Sequence, residues 1–96
     1  MALYIPVDAS RSVNSNDYEK VLVCNSSSPI VLTLLQDGLI GVNAQSSTTI
    51  ALYQAGAGAV SFAAGTGVTL VGTFVAPGQY GFVGVVRTGQ NTWAYL

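Results

Sequence analysis

Histidine is absent from this chain of 96 residues, and cysteine occurs once. Without an imidazole, general acid–base catalysis and the nucleophilic triads lose their commonest participant, and transition-metal sites lose their commonest ligand. A single thiol, Cys24, makes no intramolecular disulfide and falls short of the four ligands of a structural zinc site. Charge is scarce too: Asp, Glu, Lys and Arg make up 7% of the chain, against roughly 25% in an ordinary soluble domain. Arg11, Lys20 and Arg87 form no cluster along a net charge of -1, so nucleic-acid binding by phosphate neutralisation has no footing. No apolar run approaches the roughly 20 residues of a membrane-spanning helix. The first eight residues, Met1 to Asp8, lack the basic segment and long apolar stretch of a secretory signal, which makes assembly in the cytoplasm the expectation.

What the chain has is apolar residues, at 50% of the total. A domain this short buries only about two-thirds of the surface its unfolded form exposes, so the excess predicts cover from something other than water. No window of a dozen residues holds a 3.6-residue apolar period, whereas β-branched and aromatic runs recur between Gly, Asn, Ser and Pro clusters. That pattern predicts an all-β fold, a small antiparallel sandwich or barrel of about seven or eight short strands. The strands are expected near residues 3–7, 18–24, 30–36, 48–54, 58–64, 68–75, 79–87 and 91–96. Asn25 to Pro29 and Ala76-Pro77-Gly78 carry turn chemistry, and Asp37-Gly38 and Thr88 to Asn91 read as hairpins.

Apolar residues occupy both faces of several strands. Ile30, Leu32 and Leu34 oppose Val31, Thr33 and Leu35, and Tyr80 and Phe82 oppose Val83 and Val85. A sheet with one wet face alternates cleanly, so these strands are expected to be covered on both sides, the second cover being another subunit. The candidate core and subunit-interface residues are Ile30, Leu32, Leu34, Ile50, Leu52, Tyr80, Phe82 and Trp93. Residues 18–96 form the expected domain. Residues 1–17 read as a short apolar segment, Leu3-Tyr4-Ile5-Pro6-Val7, and a polar linker with little core-forming capacity. Either the segment is an edge strand with a surface loop, or it is an arm that adds a strand to a partner's sheet.

No residue set points to catalysis, a cofactor or a metal. Asp17 and Glu19 would share one face of a strand, but a calcium site needs more oxygen ligands than they supply, and two solvated rim charges are the expectation. Gly56-Ala57-Gly58 and Gly65-Thr66-Gly67 are followed by no lysine, so they read as turns at the two ends of one strand rather than a phosphate cradle. Cys24, inside Val21-Leu22-Val23-Cys24, reads as a buried small hydrophobe. Trp93, Tyr95, Tyr53 and Tyr80 are read as core or interface aromatics, the alternative being a platform for sugars.

The run Tyr53-Gln54-Ala55-Gly56-Ala57-Gly58-Ala59-Val60-Ser61-Phe62-Ala63-Ala64-Gly65-Thr66-Gly67-Val68-Thr69-Leu70, then Gly78-Gln79-Tyr80, then Gly89-Gln90-Asn91-Thr92-Trp93 resembles a module recurrent in structural proteins of tailed-phage particles. The resemblance covers roughly residues 18–96. It implies a β-rich, commonly trimeric component of the virion with no catalysis, no cofactor, no small-molecule substrate and neither nucleic acid nor membrane as partner. In fibre proteins the module is one part of a much longer chain, whereas here it starts close to Met1, which favours a small protein decorating the capsid over a tail-fibre protein. On that reading Leu3, Tyr4, Ile5, Pro6 and Val7 contact the major capsid protein, and copies of the chain associate as a homotrimer.

Overall fold

A computed structural model describes residues 4–36, 48–72 and 75–95. Among them are nine short strands and no α-helix: β1 (Tyr4–Val7), β2 (Arg11–Ser12), β3 (Val21–Cys24), β4 (Ile30–Leu34), β5 (Thr49–Gln54), β6 (Val60–Ala64), β7 (Thr69–Val71), β8 (Phe82–Gly89) and β9 (Thr92–Tyr95). They form a six-stranded sheet in the order β1-β3-β5-β8-β9-β7 and a three-stranded sheet in the order β2-β4-β6.

The all-β class stands, but the pairing is mainly parallel. β1 pairs with β3 and β3 with β5 in the large sheet, while β2 pairs with β4 and β4 with β6 in the small one, all parallel. The chain therefore coils, crossing from one sheet to the other and laying each new strand beside the one from the previous turn. The physical reason lies in the links. Asn25 to Pro29 and Ala55 to Ala59 carry the chain to the opposite sheet rather than folding it back on itself, and only such a crossover permits parallel neighbours. Among the named strands, antiparallel pairing joins β5 with β8 and β8 with β9, and an isolated antiparallel bridge joins Ser61 to Val75. Between β8 and β9, Thr88 to Asn91 makes the expected hairpin, with Asn91 at φ 52°. The Asp37-Gly38 hairpin lies outside the described residues.

The second and third coils match with a 30-residue offset, from Val21 beside Ala51 to Leu34 beside Ala64. Their corners stack by backbone hydrogen bonds: Ala55 N–H donates to the Cys24 carbonyl (2.9 Å), Gly58 N–H to that of Ser26 (2.8 Å) and Ile30 N–H to that of Ala59 (2.9 Å). A Cβ at Gly56 would stand 2.4 Å from the Ser26 oxygen, and one at Gly58 would stand 2.1 Å from the Ser28 oxygen. The first glycine pair is thus a turn, as expected, and its glycines are required by close approach of the stacked backbones.

One core fills the space between the sheets. Val7, Leu22, Cys24, Ile50, Leu52, Val83, Val85 and Trp93 enter from the large sheet, and Ile30, Leu32, Leu34, Val60 and Phe62 from the small one. Alternation along each strand does this: Ile30, Leu32 and Leu34 are buried, while Val31 is exposed and Thr33 half-buried. Each strand thus turns one face toward this core; on the other face of the large sheet Val21, Val23, Ala51 and Tyr53 are half-buried, and Tyr4, Pro6 and Phe82 are exposed.

Candidate functional site

The eight residues expected at the core or subunit interface divide into two groups. Ile30, Leu32, Leu34, Ile50, Leu52 and Trp93 are fully buried in the chain's own core. They hold one copy together and offer nothing to a second. Tyr80 and Phe82 are 67% and 57% exposed. Burial of the Trp93 indole also takes it out of any sugar-stacking platform. Tyr53 is half-buried and packs against Phe82 with ring centroids 4.7 Å apart and a tilt of 36°.

The N-terminal segment is an edge strand rather than a free arm. Leu3 lies outside the described residues, and Tyr4, Ile5, Pro6 and Val7 pair in register with Val21, Leu22, Val23 and Cys24. The Asn25 N–H donates to the Val7 carbonyl. Alternation then turns Ile5 and Val7 toward β3 in the hydrogen-bonding plane and leaves Tyr4 and Pro6 at the open edge. Proline is tolerated there because its missing N–H faces no ladder partner. A shallow open groove lies beside this edge, lined by Pro6, Val7, Asp8, Val23 and Asn25.

The polar linker carries more structure than its composition suggests. It contains β2 and a 3-10 turn, Ser15–Asp17, and it places Val13 in the core at 1% exposure. Asp17, expected as a solvated rim charge, is also 1% exposed. Its carboxylate accepts two hydrogen bonds from the Arg11 guanidinium, at 2.8 and 2.9 Å, and one from the Asn14 N–H at 2.9 Å. A buried carboxylate needs such partners. The hydrogen bonds to Asp17 hold the Arg11 pKa above its ordinary value, so the guanidinium stays charged. Glu19 points elsewhere: at φ 60° it leaves the strand path and accepts a hydrogen bond from the Thr49 hydroxyl at 3.0 Å. Asp17 and Glu19 therefore share no face. Among the described residues no three His, Cys, Asp or Glu side chains gather.

Cys24 is buried, as expected, with its Sγ 3.6 Å from the Leu22 carbonyl oxygen. Burial pushes its thiol up to about 11, with Arg11 pulling weakly the other way. It is an inert packing group.

The feature of the surface most unlike ordinary solvent-facing structure is the outer face of the six-stranded sheet. Strand register places Pro6, Val23, Tyr53 and Phe82 in one row across it, and Tyr4, Val21, Ala51 and Gly84 in the next. A third row holds Thr49, Val86, Ala94 and Val71. None of these positions is charged. The charges adjoining these rows in sequence are Glu19 and Lys20 before Val21, Asp8 after β1 and Arg87 after Val86. Sequence reasoning named Phe82, Tyr4 and Pro6 singly, but the row itself depends on strands far apart in the chain and had no local signal. Comparison of the chain with family models, with curated proteins and with solved structures finds no match.

Proposed function

We propose that this chain is a non-catalytic structural component of a bacteriophage particle: a homotrimeric decoration protein that binds the outside of the capsid shell and stabilises it. The observation that carries the reading is the uncharged outer face of the six-stranded sheet, with Tyr4 and Phe82 more than half exposed. Apolar surface of this extent on a small domain marks contact with other protein. The resemblance of residues 18–96 to a virion module supplies the kind of assembly. A shell strained from within gains strength when many small proteins each bridge several subunits, because every copy must be released from all its partners at once. The shell contact is assigned to the open edge of β1, within the segment expected to meet the capsid protein, and to the groove that Asp8, Val23 and Asn25 continue beside it.

Particles assembled without this protein and then titrated with it are expected to take up hundreds of copies. Asp8→Lys, which changes an exposed groove residue, is expected to lower that occupancy while leaving the oligomeric state of the free protein unchanged. Failure of particles to take up the wild-type chain overturns the proposal.

One observation favours a second reading, in which the chain is a tail-associated or tail-fibre component. Among the described residues β1 is an edge strand of the large sheet, and a parallel coil of this kind is suited to stacking in a longer shaft. Copy number separates the two: a few dozen copies per particle, at the tail, would replace the capsid reading by the fibre reading.

A further inference from the structure

We infer that copies of this chain meet each other through the outer face of the six-stranded sheet. The inference rests on the self-association included in the reading above and names the surface that makes it. A second copy can be added to an open β structure in two ways, edge to edge or face to face. The edge at β1 is poorly equipped, because Pro6 faces outward with no N–H and removes a donor from the open ladder. The face is well equipped. Its first two rows, Pro6-Val23-Tyr53-Phe82 and Tyr4-Val21-Ala51-Gly84, carry no ionised side chain, so the same surface can be brought against itself without like charges confronting one another.

Size bounds this contact, and relief favours it. Six strands spaced at about 4.8 Å, five residues deep, span roughly 400 Å² in projection. That falls in the range of the largest functional patches on monomers and below the ~800 Å² per partner of a standard pairwise interface. The tilted pair Tyr53 and Phe82 stands up from the face next to the low positions Ala51 and Gly84, giving a ridge and a trough that identical copies can interlock. The outer face of the small sheet is more polar: Ser12, Thr33 and Ser61 are hydroxylated, and its apolar members are Val31 and Ala63 in the paired strands and Val75 bridged to Ser61.

Sedimentation of the purified chain at micromolar concentration tests this. The wild type is expected as an oligomer. Phe82→Lys is expected to raise its dissociation constant at least about tenfold, while Val31→Lys, on the outer face of the small sheet, leaves it unchanged. Circular dichroism reports whether each variant folds. If Phe82→Lys does not, Val71→Lys on edge strand β7, 57% exposed at the far end of the same face, gives the same readout. An oligomer that survives these lysines, or one that Val31→Lys dissolves, overturns the choice of face while leaving self-association intact. A wild-type chain that is monomeric overturns both. Uptake by particles is measured separately, so a monomeric chain that still decorates particles would leave shell binding standing.

Discussion

The two sheets share a core and differ in almost everything else. The inner faces are equivalent, each lined by aliphatic side chains from strands of the same coil. Outside, the large sheet shows aromatic and aliphatic residues over three rows, and the small sheet shows Ser, Thr, Ala and Val. Their edges differ as well. The large sheet ends at β1, a four-residue strand guarded by Pro6. The small one ends at β2, only two residues long, which is held by the Arg11–Asp17 pair behind it. Inner faces are set by the need to fill one cavity from both sides, whereas outer faces are free to differ and so record what each sheet meets.

The equivalence of the inner faces can be broken directly. Leu52→Ala in the large sheet and Leu32→Ala in the small one, both completely buried, are each expected to cost about 2–5 kcal/mol of unfolding free energy in urea titrations. Values differing by more than that range would mean that one sheet folds without the other.

The edge of the small sheet is the next target. Arg11→Met leaves the Asp17 carboxylate buried without its charged partner and is expected to cost about 3 kcal/mol. Asp17→Asn leaves behind a guanidinium that is one-third exposed and can turn to water, so about 1–2 kcal/mol is expected. Equal losses would contradict the burial asymmetry of the pair.

An effect of similar size concerns the inner corner of the large sheet. Cys24 titrates near 11 in the folded chain and near 9.0 without burial. A neutral thiol is favoured in the fold, so its contribution is complete below pH 9 and is lost as the pH rises through 11. Stability measured against Cys24→Ala is expected to decline over that interval by on the order of 2 kcal/mol. Alkylation of the native protein at pH 8 should be far slower than after unfolding.

Much of the fold was legible strand by strand. The expected segments 30–36, 48–54 and 58–64 contain β4, β5 and β6, and the glycine pair at 56 and 58 marks a corner. The segment 68–75 is longer than β7, and 18–24 begins before β3, because Tyr18 and Glu19 close the preceding turn instead of extending the strand. β2 and the 3-10 turn went unread. Arg-Ser and Ser-Asn-Asp carry no apolar period, and their order comes from pairing with β4 and from an ion pair whose members are six positions apart. The antiparallel expectation failed for a related reason. Turn chemistry at Asn25 to Pro29 shows where a strand ends but not which sheet the next strand joins.

The sequence by itself determined that this chain is of the β class, where most of its described strands lie, that Cys24 is a packing residue, and that apolar residues would reach the surface. Those properties follow from composition and from period-two patterning, which act over neighbouring residues. Tertiary structure alone decided that the strands stack in parallel coils, that Asp17 is buried, and that Tyr4, Pro6, Val23, Tyr53 and Phe82 stand on one face. Each of these depends on partners 6 to 30 positions away, and their meeting is set by backbone pairing and shared burial that no local stretch of residues encodes.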